Sequence, residues 1–377
     1  MQSFADIPEM LRTLQPEHPV YCVYPDIIRK TTERFLNGFP GRVLYALKAN
    51  NEPVVVQSLV DAGICHFDCA SLIEIEQVRR LSGDVRCYFM NPVRMPNAAR
   101  VAQEIHGVRH FVVDHASGLD SLLDEIDPRQ SVIFVRMAVH HPAAMIDLSS
   151  KFGASPDNVV ALLEAVEASG AEPALAFNVG SSVMSPDAFV QAMETAQSVL
   201  EKLSFGIRLL DVGGGYPKSY PGFEAPPLEE YFAAIENAVE LPLAKGGELL
   251  AEPGRALCAR GLSAVVQVLL RKDDCLYLSD GMYGVFWDLR YHLQDRFAAR
   301  VYRGDRPLQG ALLAFRLYGP TCDSGDVLPG TVELPENIQV GDQIEFGSIG
   351  AYSLSGRTDF NGFYSDTVVR IESVKTG

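Results

Sequence analysis

The sequence predicts an α/β fold built around a parallel sheet and followed by a mainly β region. From about residue 20 to 260, short apolar runs alternate with stretches whose apolar residues recur every three or four positions. After Glu252-Pro253-Gly254-Arg255, strand-like runs succeed one another with turns between them and little helical pattern. The composition, 47% hydrophobic and 21% charged over 377 residues, is that of an ordinary globular chain. It is long enough for one domain of about 250 residues and a smaller one.

The first buried strand reads as Val43-Leu44-Tyr45-Ala46, and Lys48 lies just beyond its end. Val132-Ile133-Phe134-Val135, Leu175-Ala176-Phe177 and Arg208-Leu209-Leu210-Asp211-Val212 read as further buried strands. Asn158 to Ser169 and Pro186 to Leu203 carry amphipathic helical spacing. Tyr216 to Pro227, rich in Pro, Gly and Tyr, reads as a loop. In the later region, Val265-Val266-Gln267-Val268, Cys275-Leu276-Tyr277-Leu278, Ala314-Phe315-Arg316-Leu317, Gln343-Ile344-Glu345-Phe346 and Thr367 to Ile371 read as strands. Periodicity alone leaves open whether the parallel sheet is a closed barrel or an open sheet.

A net charge of −16 argues against nucleic acid and anionic membranes as partners. No apolar run approaches the roughly 18 residues of a membrane helix. The start, Met1-Gln2-Ser3-Phe4-Ala5-Asp6, lacks the basic and apolar regions of a signal peptide, so a cytoplasmic location is expected. Seven cysteines without a CxxC pair fit reduced thiols. No metal-ligand spacing is present, and His140-His141 reads as a loop pair.

The run Tyr45-Ala46-Leu47-Lys48-Ala49-Asn50 points to chemistry. A lysine at the end of a buried strand is costly unless its amine is paired, deprotonated or covalently committed. A desolvated lysine amine is what a carbonyl cofactor needs for a Schiff base. Gly213-Gly214-Gly215 after a strand lets backbone N–H groups approach an anion.

Taken in order, Lys48, Phe67-Asp68-Cys69-Ala70-Ser71, Asp211-Val212-Gly213-Gly214-Gly215, Glu252-Pro253-Gly254-Arg255, Gly319-Pro320-Thr321-Cys322-Asp323, Gly350-Ala351-Tyr352 and Phe360-Asn361-Gly362-Phe363 resemble one known group. It is the ornithine/diaminopimelate/arginine decarboxylase family of pyridoxal phosphate (PLP) enzymes, with an alanine-racemase-like barrel (fold type III). The resemblance runs from about residue 20 to 370 and is nearest the ornithine decarboxylase branch.

It implies a TIM-type (β/α)8 barrel over 21–261. Residues 1–20 and 262–377 would form a β-sandwich or β-barrel-like domain. Lys48 matches the Schiff-base lysine. Glu252 matches the acid facing the pyridine nitrogen, where alanine racemase has an arginine. A carboxylate there favours the pyridinium and hence the electron sink of a decarboxylase. Gly213, Gly214, Gly215, Gly254, Arg255, Ser181 and Tyr352 match the phosphate cradle. Asp68 and Arg136 match residues near the ring and the lysine. Lys151 matches a lysine that pairs with a carboxylate of the neighbouring subunit. Cys322 and Asp323 match a pair supplied by the partner chain: the cysteine protonates the carbon that has lost CO2, and the aspartate binds the substrate's distal amine. The resemblance therefore implies an obligate homodimer with composite sites.

Two positions depart from the family pattern. Asn178 stands where the family has a histidine stacked on the cofactor ring. Tyr291-His292 aligns with a Tyr-Asp pair at the substrate's tail, and a histidine there cannot hold an ammonium as an anion. The expected reaction is α-decarboxylation of a basic or substituted basic L-amino acid, either ornithine/lysine-like with Asp323 alone selecting the diamine or a derivative with a modified tail. The alternatives are a non-catalytic homologue that binds a protein partner, and a racemase-type enzyme on the same fold.

Overall fold

The computed structural model describes residues 1–81, 83–238, 243–290 and 297–372. Eight parallel strands close into a barrel: β1 (Arg42–Ala46), β2 (His66–Cys69), β3 (Arg86–Phe89), β4 (His110–Val113), β5 (Val132–Met137), β6 (Glu172–Phe177), β7 (Leu209–Asp211) and β8 (Glu248–Ala251). Each strand pairs with the next, and the ring closes where Leu250 and Ala251 of β8 lie opposite Arg42 and Val43 of β1. Closure settles the choice that periodicity left open. Helices pack outside, among them Pro25–Gly38, Pro53–Asp61 and Pro156–Ala168. Each of these three carries proline in its first turn, where the missing N–H costs nothing and φ is already helical.

Alternation along the strands sorts the side chains into two sets. Leu44, Tyr88, Val112, Phe134, Ala174, Ala176, Leu209 and Leu250 form one cluster inside the barrel. Their strand neighbours Tyr45, Phe67, Phe111, Ile133, Val135, Leu175 and Leu210 belong to the larger core that includes the helices. Both faces are buried, which is why the strands read as continuous apolar runs rather than as half-polar ones.

The N-terminal end of the barrel is closed by polar groups. Arg42 donates to the Tyr88 hydroxyl at 2.8 Å and pairs with Glu248. The His110 ring stacks on Tyr88 at 4.0 Å between centroids, and His66 approaches Tyr88 at 5.7 Å. Burial, reinforced by Arg42 and Arg86, lowers His66 to about 4 and His110 to about 3. Both imidazoles are therefore neutral in the folded chain at neutral pH.

Among the described residues, a second sheet of ten strands follows the barrel. Its spine is Ser3–Phe4, Val368–Ile371, Val20–Val23, Leu262–Lys272, Cys275–Leu278, Leu312–Tyr318 and Val332–Pro335, in that spatial order. Val20–Val23, which a boundary at residue 21 divides, lies wholly in this sheet, antiparallel to Leu262–Lys272. Four buried residues read alike in either sheet, so the sequence could not assign them. Hydrogen bonds fasten the late segment to the end of β1. The Tyr352 N–H donates to Ala49 O at 2.7 Å, Ser355 Oγ to Lys48 O at 2.9 Å, and Asn50 Nδ2 to Gly350 O at 2.8 Å. Among the described residues, no helix is long and apolar enough to cross a membrane, and no cluster of His, Cys, Asp or Glu could hold a metal.

Candidate active site

The period-two alternation that fills the barrel interior also builds the site. Two residues beyond the inward-facing His66, Phe134, Ala176, Leu209 and Leu250 come Asp68, Arg136, Asn178, Asp211 and Glu252. The apolar interior thus ends in a polar ring at the C-terminal end of the strands, where barrel enzymes place their chemistry.

Lys48 sits in a 3-10 turn, Leu47–Ala49, directly after β1. Its Nζ donates to Asp68 Oδ2 at 2.6 Å. Asp68 is 1% exposed, and its Oδ1 has no hydrogen-bond partner. The Lys48 side chain is 44% exposed, so the fully desolvated amine expected from the sequence is not what the fold provides. Desolvation of its amine works against charge, but Asp68 and then Glu252 outweigh it and hold the ammonium above its ordinary pKa. Glu252 itself is pushed well up by burial, and further by Asp211 and Asp68. Arg136 acts on Glu252 through its charge and lies over the Phe152 ring at 5.3 Å.

Lys48, Asn178, Ser181, Gly214, Gly215, Glu252, Gly254, Arg255 and Tyr352 line one cleft. A Cβ on Gly213 would lie 2.4 Å from Phe177 O, on Gly214 2.6 Å from Glu252 O, and on Gly215 2.7 Å from Gly180 O. Gly213 and Gly215 also have φ of +72° and +100°, so only glycine permits this wall of bare backbone. Ser182, at φ 49°, adds a buried Oγ without a hydrogen-bond partner. Arg255, 5% exposed, donates from both terminal nitrogens to Asp288 at 2.6 and 3.1 Å and lies over the Tyr352 ring at 5.2 Å. The Asn178 Oδ1 accepts the Gly180 N–H at 3.0 Å, which fixes the amide at the cleft edge.

This donor set fits PLP. The bare glycine backbone, hydroxyls and guanidinium suit a phosphate, the lysine amine suits an aldehyde, and the buried acid suits a pyridine nitrogen.

Cys322 and Asp323 do not line the cleft of their own chain. Cys322 Sγ is 3.3 Å from Asn361 Oδ1, and Asp323 accepts from the Tyr283 hydroxyl and from the Gly325 N–H at 3.0 Å. Tyr283 stacks on Phe360 at 4.5 Å, with the Arg290 guanidinium 4.9 Å from its ring. Lys151 lies over Phe152 at 4.8 Å. Tyr291 and His292 lie outside the described residues.

Three further groups were not singled out from the sequence. Asp211, 0% exposed, could have been found from the same two-residue step that gives Asp68 and Glu252. Asp288 and Tyr220, which accepts from Arg255 at 3.2 Å, are brought there only by tertiary folding.

Comparison with known proteins agrees with this geometry. Residues 26–259 match the family described as pyridoxal-dependent decarboxylase, pyridoxal binding domain. Antizyme inhibitor 2 of Xenopus laevis is 32% identical over 371 residues, covering 91% of this chain and 78% of that protein. The lysine/ornithine decarboxylase of Selenomonas ruminantium is 30% identical over 334 residues, covering 85% and 81%. The lysine/ornithine decarboxylase of Vibrio vulnificus, crystallised with putrescine, superposes with a TM-score of 0.84 at 28% identity and 99% coverage of both chains. A barrel that ends in a lysine, a facing acid and a glycine cradle, matched along most of its length, makes this chain a member of the pyridoxal-dependent decarboxylase family.

Proposed function

We propose that this chain removes the α-carboxylate of a basic or substituted basic L-amino acid as CO2, leaving the amine. The observation that carries the reading is the convergence of Lys48, Glu252 and the glycine wall on one cleft. Bound there, PLP would supply the sink for the electron pair left when CO2 departs.

The protein's own groups divide the remaining work. Lys48 would hold the cofactor through its aldehyde carbon. Its amine must first lose a proton, and Asp68 Oδ2, at 2.6 Å, is placed to receive it. Glu252 would face the ring nitrogen and stabilise a proton there. Gly213, Gly214, Gly215 and Gly254 give the phosphate close access to backbone N–H groups, with Ser181, Arg255 and Tyr352 completing its shell. Arg136 offsets the acids, and Asn178 would cover a ring face more thinly than a histidine.

Cys322 and Asp323 act in the partner's cleft, the cysteine as proton donor and the aspartate at the substrate's tail. The exposure of Cys322 beside Phe360, Phe363 and Tyr364, which are 40–45% exposed, supports a homodimer interface on this face. With the Tyr283 hydroxyl donating to Asp323 and the Arg290 charge acting on it, and with a histidine, His292, where the family sequence has an aspartate, a tail other than a simple ammonium is favoured. In this reading residues 21–261, apart from the strand residues 21–23 that join the second sheet, carry the cofactor, and residues 1–20 with 262–377 complete the dimer. The enzyme works in the cytoplasm, in polyamine or specialised-metabolite synthesis.

The test is to load the purified dimer with PLP and assay CO2 and amine from ornithine, lysine, arginine, diaminopimelate and substituted diamino acids. Release from none of them overturns the reading. The likeness to antizyme inhibitor 2 supports a second reading, a protein-binding homologue without catalysis. That reading requires a chain that takes up no PLP.

A further inference from the structure

We propose that a cavity on the second sheet binds a free α-amino acid with an apolar side chain, its ammonium held by Glu345 and its carboxylate by Arg300. The cavity shares no lining residue with the cofactor cleft.

The sequence places an acid where the fold is apolar. In Gln343-Ile344-Glu345-Phe346, alternation sends Ile344 and Phe346 to the larger core and Glu345 to the opposite face of the sheet. Val265 lies directly opposite Glu345 on the neighbouring strand and belongs to a separate apolar cluster with Ile7, Met10 and Leu11 of the helix Ile7–Leu14. Glu345 is 7% exposed. Its Oε1 accepts from the Tyr24 hydroxyl at 2.9 Å and its Oε2 from the Tyr302 hydroxyl at 3.3 Å. Tyr24 gives its hydrogen to Glu345, so the Ser263 hydroxyl, 3.0 Å from that of Tyr24, is the donor there. This relay brings two hydrogens to the acid and suits a carboxylate. Hydroxyls bring no charge, however, and among the described residues Glu345 forms no ion pair. A buried carboxylate without a cation is costly, and an ammonium on its open side removes that cost.

The open side is a cavity of about 350 Å³ that Glu345, Tyr24 and Tyr302 line. That volume is within the range of small-molecule sites. Arg300 lines it too, and in the antiparallel pairing it stands directly across from Glu345. Arg300 is exposed, yet it forms no ion pair with Glu345 or with any other described acid. The cavity therefore has a carboxylate at its floor and a guanidinium at its rim, neighbours in register that do not meet. Ile7, Pro8, Val301, Pro307 and Leu308 supply apolar wall. Asp6, also on the wall, accepts the Glu9 N–H at 3.0 Å as the cap of the helix.

These groups select the ligand by charge. A plain amine satisfies Glu345 but meets the Arg300 cation, and a plain carboxylate satisfies Arg300 but meets the Glu345 anion. An α-amino acid carries both charges about one carbon, so it serves both walls at once and leaves its side chain to the apolar surface.

The test is equilibrium dialysis of the PLP-loaded protein against radiolabelled L-leucine, isoamylamine and isocaproate, three similar skeletons bearing both charges, the positive alone and the negative alone. The visible absorption of the cofactor is followed in parallel, because an amino acid entering the cofactor cleft would change it. L-leucine is expected to saturate one site per chain without changing that absorption. The two single-charge analogues should bind at least about tenfold more weakly. Glu345→Gln and Arg300→Ala should each weaken L-leucine at least about tenfold while taking up PLP as the wild type does. If Glu345→Gln does not fold, judged by circular dichroism, the exposed Arg300→Ala carries the test. The proposal is overturned if L-leucine does not saturate, if either analogue binds as tightly, or if folded variants keep wild-type affinity. Binding that changes the cofactor absorption and survives both substitutions belongs to the cleft and overturns it as well. Dialysis needs no turnover, so its failure is distinct from failure of the decarboxylase reading, which would appear as absent CO2 release.

Discussion

The histidines at the floor of the barrel make acid stability a quantitative test of the fold. His110 is stacked on Tyr88 and lowered to about 3, and His66 is lowered to about 4. An unfolded histidine titrates near 6.5. Because the folded values are depressed, the unfolded chain binds protons first as pH falls. Stability is therefore complete above about 6.5 and is lost between there and the folded values. Between pH 7.5 and 5.0, linkage gives a loss of about 2 kcal/mol for each histidine, about 4 kcal/mol together.

Other groups act in the opposite direction. Asp280, raised to about 6 chiefly by burial, gains stability as pH falls. The readout must therefore be a difference between variants, not the slope of one protein. His110→Phe keeps an aromatic ring against Tyr88 and removes the titration. Urea unfolding at pH 7.5 and 5.0 should show the variant losing about 2 kcal/mol less than the wild type over that interval. An equal loss in both proteins would mean that His110 is protonated in the folded chain or is not enclosed, and the reasoning would fail.

Lys48→Ala should abolish the visible absorption that appears when PLP is added to the apo protein, while leaving the melting curve of the apo protein near that of the wild type. Gly214→Ala places a methyl group 2.6 Å from Glu252 O; PLP affinity should fall at least about tenfold, and pyridoxal, which lacks the phosphate, should be affected far less. Mixing inactive Lys48→Ala and Cys322→Ala chains should restore about a quarter of wild-type activity if sites are composite, since half the dimers would carry one intact site. Analytical ultracentrifugation of the same mixture checks that dimers exchange, and no recovery despite exchange would refute the composite site.

The amino-acid sequence alone determined the alternation of strand and helix, the change to β structure after Arg255, and the positions of Lys48, Gly213, Gly214 and Gly215, while Glu252 was read through the family resemblance. These were legible because each is a local requirement. Buried strands must be apolar, and a backbone wall that packs against carbonyl oxygens must be glycine. The step of two from Leu209 to Asp211 was equally local, yet the acid gains meaning only beside Glu252 on the neighbouring strand.

What tertiary structure decided is everything that depends on closure. The hydrogen-bonded ring from β8 back to β1 fixes which strand ends face one another, and so assembles Lys48, Asp68, Asp211 and Glu252 into one layer. Val20–Val23 went to the second sheet because Leu262–Lys272 offered it an antiparallel partner. Asp288 reached Arg255 from 33 residues away along the chain. Residue spacing cannot encode such meetings, because the free energy that enforces them comes from burying whole faces at once.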